Sequence, residues 1–352
     1  MSVEDEIEQV KYELSRVQKN KATEHYIGNL KARLSKLLAK DTSRKTGGKS
    51  YAVKKQGDAT VALVGFPSVG KSTLLNALTG AHSKTASYEF TTLIPIPGML
   101  HYRKALIQLI DAPGIIGGAA KGKGLGRQII GAVRNADLIL ILLDPVKDRL
   151  DIILDELYDA LIRLDVQPPD VQVKRTTKGG LVVQSTVDQS LSLDTIKSIV
   201  REFGFVNAEL IIRENVTDDR LIDALNVNRV YVPSIVVVNK VDQLSKPKVK
   251  KLQKKYHDAL FVSAEKGLGL EGLKEAIWQK LEFKRVYLKR PGKEPDLDDP
   301  LILRGHVTVK RVIKKLRKDY DSAKVWGKSV KHQGLTVSLK HELQDEDVVT
   351  LT

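Results

Sequence analysis

Gly65-Phe66-Pro67-Ser68-Val69-Gly70-Lys71-Ser72 follows the apolar run Val61-Ala62-Leu63-Val64 and leads into Thr73-Leu74-Leu75-Asn76-Ala77-Leu78. The run before it is short, continuous and β-branched, as a buried parallel strand is; the stretch after it has helical character. Between strand and helix, the pattern G-x-x-x-x-G-K-[ST] predicts a phosphate-binding loop and not an ordinary glycine turn. Gly65 and Gly70 let the backbone curl so that consecutive N–H groups, those of Ser68, Val69 and the residues after them, face a phosphate at the positive end of a helix dipole, with Pro67 in the same loop adding no donor. Lys71 then reaches the outer phosphates, the Ser72 hydroxyl faces a Mg²⁺, and Thr73 continues the amide cradle. Strand, loop and helix in this order place the chain in the α/β class, as a P-loop domain.

Three later strands end in partners for that loop. Ile107-Gln108-Leu109-Ile110 runs into Asp111-Ala112-Pro113-Gly114. An Asp at the carboxyl end of a second strand is placed to hold Mg²⁺, usually through water. Gly114 offers an unshielded amide to a γ-phosphate. Val236-Val237-Val238 is followed by Asn239-Lys240-Val241-Asp242. The Asp242 carboxylate matches the two donors on the Watson–Crick edge of guanine and would be left desolvated and unpaired against adenine. Polar pairing of this kind discriminates by roughly 10⁴-fold or more. Asn239 braces the loop and Lys240 covers the base. Phe261-Val262 leads into Ser263-Ala264-Glu265, where a backbone amide meets the guanine O6. The four signals together predict a site for GTP or GDP with Mg²⁺.

Taken in order, these motifs resemble those of the translation-factor-class GTPases. Phe66-Pro67-Ser68, Tyr88-Glu89-Phe90-Thr91-Thr92-Leu93-Ile94-Pro95 and the glycine-rich stretch from Gly117 to Gln128 are similar to the Obg superfamily. Within it, nearly the whole chain resembles the developmentally regulated GTP-binding proteins, an archaeal member in particular. The resemblance implies that Thr92, chosen over Thr91, closes on Mg²⁺ and the γ-phosphate. It also implies catalytic roles for Lys71, Thr92 and Gly114, metal contacts from Ser72, Thr92 and Asp111, and action on ribosomes or RNA in translation or ribosome assembly. A stabilising protein partner is a further candidate. Ile115 stands where Ras-like enzymes carry a water-orienting glutamine, so intrinsic hydrolysis is expected to be slow. K⁺ is a candidate cofactor, although Ser68 replaces the asparagine that relatives use for it.

The resemblance also divides the chain. It implies a helical hairpin with a basic linker over 1–57, a GTPase domain over 58–147 and 231–284, and an inserted α/β domain over 148–230. The insert resembles the second domain of ribosomal protein S5, and 285–352 resembles the β-grasp TGS domain. From the residues themselves, Ile7, Val10, Leu14 and Val17 share one helix face, with Ser2 and Asp5 as a start signal. Ile27, Leu30, Leu34 and Leu37 form a second such face. The insert reads as a helix over 152–164, a hairpin pairing 171–173 with 181–183 around Gly179-Gly180, a helix near 193–203 and a strand over 208–212. The interval cannot be a structureless loop. The C-terminal segment reads as strands near 285–288, 334–339 and 348–351 with a helix over 308–318. His341 and Asp347 lack further ligands at metal spacing. Trp278 and Trp326 read as core or interface residues.

Composition fits this picture. The chain has 352 residues, long enough for several domains, and a net charge of +15 from 58 basic and 43 acidic residues. Residues 1–57 and 284–352 each carry +6 of that, so the excess sits outside the nucleotide motifs. End-loaded positive charge suits a polyanion, with RNA the expected partner and no DNA specificity. Lys310, Arg311, Lys314, Lys315, Arg317 and Lys318 form one candidate RNA face, and Lys246–Lys255 a second. Aromatics are too few to interleave with them, which points to backbone contact over base reading. Cysteine is absent, which excludes disulfides and thiolate chemistry. There is no run of eighteen apolar residues, and the N-terminus is charged from Glu4 onward, so a cytoplasmic protein without membrane contact is expected. Two rival readings stay open: a ribosome- or RNA-binding scaffold using GTP as a structural ligand, and an ATPase, which the intact Asn-Lys-x-Asp sequence disfavours.

Overall fold

A computed structural model describes residues 3–18, 20–44, 55–80, 97–112, 131–146, 149–317 and 320–352, excepting the side chains of 41–44. The described residues fall into two compact units, one drawn from Ala52–Gly117, Asn135–Leu150 and Pro233–Thr352, the other from Met1–Tyr51, Gly118–Arg134 and Asp151–Val232.

The first unit is built on a six-stranded sheet. Its spatial order is Leu260–Phe261, Ser234–Val238, Leu138–Leu143, Ala59–Gly65, Ala105–Asp111 and Pro97–Tyr102. All neighbours are parallel except the edge strand Pro97–Tyr102, which turns back through Arg103 and Lys104, both in the left-handed region. The strands Ala59–Gly65 and Leu138–Leu143 are buried at every residue, so they need apolar side chains on both faces, and their sequences supply them. Register brings the strand ends level: Leu63 pairs with Asp111, Gly65 with Leu142, and Val238 with both Leu143 and Phe261. The four motif-bearing loops therefore leave the sheet at one edge, its carboxyl end, where open α/β sheets bind ligands.

The same unit carries a five-stranded sheet in the order Leu301–Arg304, Phe283–Leu288, Asp347–Leu351, Ala323–Trp326, Leu335–Val337. Its first and last strands in sequence lie parallel at the centre, and the other pairings are antiparallel. One helix, Val309–Leu316, buries Val309, Val312 and Ile313. It stops two residues before the expected end, because Arg317 takes a left-handed conformation (φ 53°). Trp278 is buried, 5.0 Å from the Phe283 ring and edge-on to Tyr102 at 6.3 Å. Asp347 is fully buried and accepts from the amides of Lys328 and Gln344, so its carboxylate closes turns of the fold.

In the second unit, helices Val3–Arg16 and Glu24–Arg44 pack as a hairpin through Val10, Leu30 and Leu37. Ser2 lies outside the described residues. The three-stranded sheet here corrects one expectation. Val171–Arg175 and Leu181–Ser185 are not paired as a hairpin; Ala208–Ile212 lies between them, antiparallel to the first and parallel to the second. The reason is burial. Ala208, Leu210 and Ile212 are fully buried, whereas the flanking strands are only half-covered and suit edges. The crossover from Leu181–Ser185 is the helix Leu193–Glu202, capped by the Ser192 hydroxyl accepting from the Thr195 amide. The helix expected over 152–164 runs only Leu150–Asp159. Leu161 takes φ 64°, which breaks it, and Ile162–Leu164 pairs in parallel with Val230–Val232. A helix over Asp218–Leu225, capped by Thr217, is one the hydrophobic pattern did not announce.

The second helix of the hairpin also packs on the helices Leu193–Glu202 and Asp218–Leu225, an association the sequence pattern does not signal. Ala32 joins their apolar cluster, and Gly28 allows the close approach, since a Cβ there would sit 3.0 Å from Ile199 Cδ1. Lys31 bridges Asp218 and Asp219 at 2.8 Å each. Among the described residues no helix is long and apolar enough to cross a membrane.

Candidate nucleotide site

Gly70 takes φ 91°, ψ 29° and stands at the N-cap of the helix Lys71–Thr79, which has no side-chain cap and no acid in its first turn. The first amides of any helix lack intrahelical acceptors, so this end is available to an anion. Two glycines are sterically required. A Cβ on Gly65 would lie 2.6 Å from the Leu142 carbonyl, and one on Gly70 would lie 2.5 Å from Asn239 Nδ2. Ser68 adopts φ 63° without being a glycine, a strained conformation for a side-chain-bearing residue. Val69 is buried and Pro67 is exposed.

Lys71 is buried, and its Nζ donates to the carbonyls of Gly65 (3.0 Å) and Phe66 (3.1 Å). Burial holds its ammonium below the ordinary lysine value; Asp111 pulls the other way without cancelling the effect. Ser72 Oγ donates to Asp111 Oδ2 at 2.6 Å. The second oxygen, Asp111 Oδ1, is buried with no hydrogen-bond partner. An orphaned carboxylate oxygen beside a hydroxyl at the mouth of a phosphate loop fits a hard divalent cation such as Mg²⁺, which takes oxygen ligands and retains waters. Ser72 and Asp111 are the described residues that could hold one. Thr92 and Gly114 lie outside the described residues, as do Thr91, Ile115 and the stretch Gly117–Gln128.

On the base side, Asn239 is the structural hinge. It is 2 % exposed; its Nδ2 donates to the Val69 carbonyl (2.9 Å) and its Oδ1 accepts from the Ala264 amide (3.0 Å). One side chain thus ties the phosphate loop to the loop carrying Ser263, Ala264 and Glu265. Lys240 takes φ 58° and its Nζ donates to the Ser68 carbonyl (2.6 Å) and pairs with Asp144 (3.1 Å). The short 3₁₀ turn Val241–Gln243 follows, with Asp242 exposed. Ser263 is fully buried, its hydroxyl accepting from the Lys266 amide, so it shapes the loop; Glu265 is exposed.

The structure therefore brings together Gly65, Pro67, Ser68, Val69, Gly70, Lys71, Ser72 and Thr73 with Asp111, and joins them to Asn239, Lys240, Asp242, Ser263, Ala264 and Glu265. It adds Asp144, which sequence reasoning missed. Asp144 follows the buried strand Leu138–Leu143, accepts from the Val146 amide (2.9 Å) and anchors Lys240. The signal was present, since an Asp-Pro pair ends the strand as Asp111 ends another, but it belongs to no phosphate or base pattern. Arg149, stacked 5.2 Å over Phe66, was likewise not singled out.

Residues 60–174 match the family described as 50S ribosome-binding GTPase, and residues 178–283 match the C-terminal region of that domain. A GTP-binding protein of Methanocaldococcus jannaschii is 50% identical over 100% of this chain and 93% of its own length. One from Halobacterium salinarum is 44% identical over 99% of this chain and 98% of its own length. Developmentally-regulated GTP-binding protein 1 of Xenopus laevis is 44% identical over 98% of this chain and 97% of its own length. Likeness of this degree from end to end, over a sheet edge already arranged for a nucleoside phosphate, settles the lineage: the chain belongs to the developmentally regulated GTP-binding proteins.

Proposed function

We propose that the chain binds GTP with Mg²⁺, hydrolyses it slowly and acts as a switch on ribosomal or other RNA, in translation or ribosome assembly. The observation that carries the nucleotide part is the Asn239 side chain, which fixes the phosphate loop and the Ala264 amide in one geometry. A base seated between them is read by the exposed Asp242 carboxylate, with the Lys240 stem over its face. Lys71, buried among carbonyls, exchanges them for phosphate oxygens, which favour its charged form. Ser72 and Asp111 hold the metal, which when bound neutralises phosphate charge. In the family reading, Thr92 and Gly114 follow the γ-phosphate, and Ile115 in the glutamine position leaves the attacking water poorly oriented, hence the low rate.

The ribosomal part of the reading rests on the family description, on the charge of +15, and on the C-terminal sheet. A mixed sheet with its first and last strands parallel at the centre and one helix across it is the β-grasp arrangement, which supports reading 285–352 as a TGS module. The unit formed by the three-stranded sheet and its two helices is read as the inserted domain similar to that of ribosomal protein S5. Asp242→Asn tests the base assignment. It should exchange guanine for xanthine preference, because the asparagine amide donates where the xanthine 2-oxo group accepts. Unchanged GTP affinity in a fluorescent-nucleotide titration would refute the assignment.

A further inference from the structure

We propose that the helix Lys246–Lys255 is the RNA-docking face of the GTPase domain and grips the phosphate backbone of duplex RNA without reading sequence. The inference rests on the RNA-directed function proposed above. It separates two basic stretches that composition alone leaves equivalent.

The helix reads Lys-Pro-Lys-Val-Lys-Lys-Leu-Gln-Lys-Lys, with no acidic residue. At about 100° per residue, its six lysines cover a continuous arc of about 200°, and Val249 and Leu252 occupy the opposite seam. All six lysines are exposed, whereas Val249, Leu252 and Tyr256 are half-buried, so the apolar seam faces the protein and the lysines face outward. Among the described residues, no acidic side chain pairs with Lys246, Lys248, Lys250, Lys251 or Lys254. Lys246, Lys250 and Lys254 follow one another at about 6 Å along the axis.

This arrangement is unfavourable in isolation. Like charges four residues apart repel, and lysines in the first turn oppose the helix dipole. Among the described residues, six other helices place an acid in their first turn. The helix after the phosphate loop does not, nor does Val309–Leu316, and neither does this one, which alone of the three has four lysines in its first six residues. A polyanion along the face removes the repulsion and releases condensed counterions.

The second basic helix, Val309–Leu316, is committed differently. Arg311 donates to the carbonyls of Arg304 and His306, and Lys315 donates to the Ile302 carbonyl. Those two charges, although exposed, are tied to carbonyls of the C-terminal fold, which leaves Lys310 and Lys314 as the exposed cations of this helix without such a tie. The lysine helix has no aromatic on its charged arc, so stacking on splayed single-stranded bases is not available, and duplex backbone is the form it fits.

The test uses the full chain and a fluorescein-labelled RNA duplex of about 16 base pairs, the span a double-stranded RNA module covers. The quadruple variant Lys246→Gln, Lys250→Gln, Lys251→Gln, Lys254→Gln should bind about 10- to 100-fold more weakly near physiological salt. Its salt slope should be shallower by about 0.9 for each phosphate that the variant no longer neutralises. Its guanine-nucleotide affinity and urea midpoint should be unchanged or better, which separates a weakened RNA face from a damaged fold. The double variant Lys310→Gln, Lys314→Gln should lose less than threefold. A quadruple variant with wild-type affinity and slope overturns the assignment while leaving the RNA-directed reading intact. Wild-type protein that binds no RNA overturns both. Tighter binding to polyglutamate or to the matching DNA duplex than to RNA overturns the partner class.

Discussion

Replacing Asn239 with alanine isolates the contact on which the geometry of the nucleotide site depends. The side chain makes two hydrogen bonds, 2.9 Å to the Val69 carbonyl and 3.0 Å from the Ala264 amide, and both are buried. Alanine leaves that acceptor and that donor without partners. Each unsatisfied buried group costs about 1–3 kcal/mol. In the proposed site both loops border the nucleotide, so water reaches part of the gap and the lower half of the range applies. A total of about 2–4 kcal/mol on the binding-competent geometry corresponds to a loss of about 30- to 1,000-fold in guanine-nucleotide affinity. Asn239→Asp should be worse despite its shape, because it sets an anionic oxygen against the Val69 carbonyl where a donor stood. Fluorescent-GDP titration measures the affinity, and urea unfolding of the same preparations shows whether the fold is intact. If both variants bind within twofold of wild type, the side chain is not the clamp and the loops are held by their own backbone.

Asp111→Asn removes the charge opposite Ser72, and the Mg²⁺ concentration that half-saturates GTP binding should rise about tenfold or more; an unchanged Mg²⁺ titration would place the ion elsewhere. Gly28→Leu forces side-chain atoms into the 3.0 Å approach to Ile199 and should destabilise the unit containing the hairpin by about 1–3 kcal/mol, read as a shift in urea midpoint. Asp137 makes a pH prediction. Burial pushes its carboxyl up, but the Thr60 amide, Arg304 and Lys55 outweigh that and hold it below the usual carboxylate value. A depressed folded-state pKa adds stability that is full above the unfolded value and is lost as pH falls through the folded one. The gap in stability between wild type and Asp137→Asn should therefore be present at neutral pH and close below about pH 4; a gap independent of pH would show that the contacts act without the charge.

The parts that were legible are those where one residue type has one use. A β-branched run ending in glycine, an Asn-Lys-x-Asp after Val236-Val237-Val238, and an Asp closing Ile107–Ile110 each specify a strand end, and register then carries all of them to one edge of the sheet. What failed depended on competition between segments. Glycines between Val173 and Leu181 suggest a local hairpin, but Ala208–Ile212 buries more apolar surface and takes the middle of the sheet, a choice visible only when all three strands are weighed together. The same holds for Ile162–Leu164, whose partner Val230–Val232 lies far along the chain. Docking of the hairpin on the helices Leu193–Glu202 and Asp218–Leu225 was hidden for another reason. It runs through Gly28 and Ala32, small residues that add nothing to an apolar periodicity and matter because they let two helix axes approach.

Asp144 and Lys240 show how contacts within the candidate site change the reading of a residue taken alone. Read alone, Lys240 covers a base. In the fold, its Nζ spans from the Ser68 carbonyl to Asp144 while its backbone sits in the left-handed region at φ 58°, a conformation costing about 1–3 kcal/mol that must be held by contacts elsewhere. Ser68 is strained in the same sense, at φ 63°. Two strained residues from loops far apart in sequence are thus joined by one ammonium, with Asp144 as counter-charge, and Asn239 supplies a second tie through the neighbouring Val69 carbonyl. The phosphate grip and the base reader therefore share supports and are not independent modules. A change that loosens base selection should also weaken phosphate binding. That expectation separates this arrangement from one in which the Asn-Lys-x-Asp loop is only a detachable specificity element.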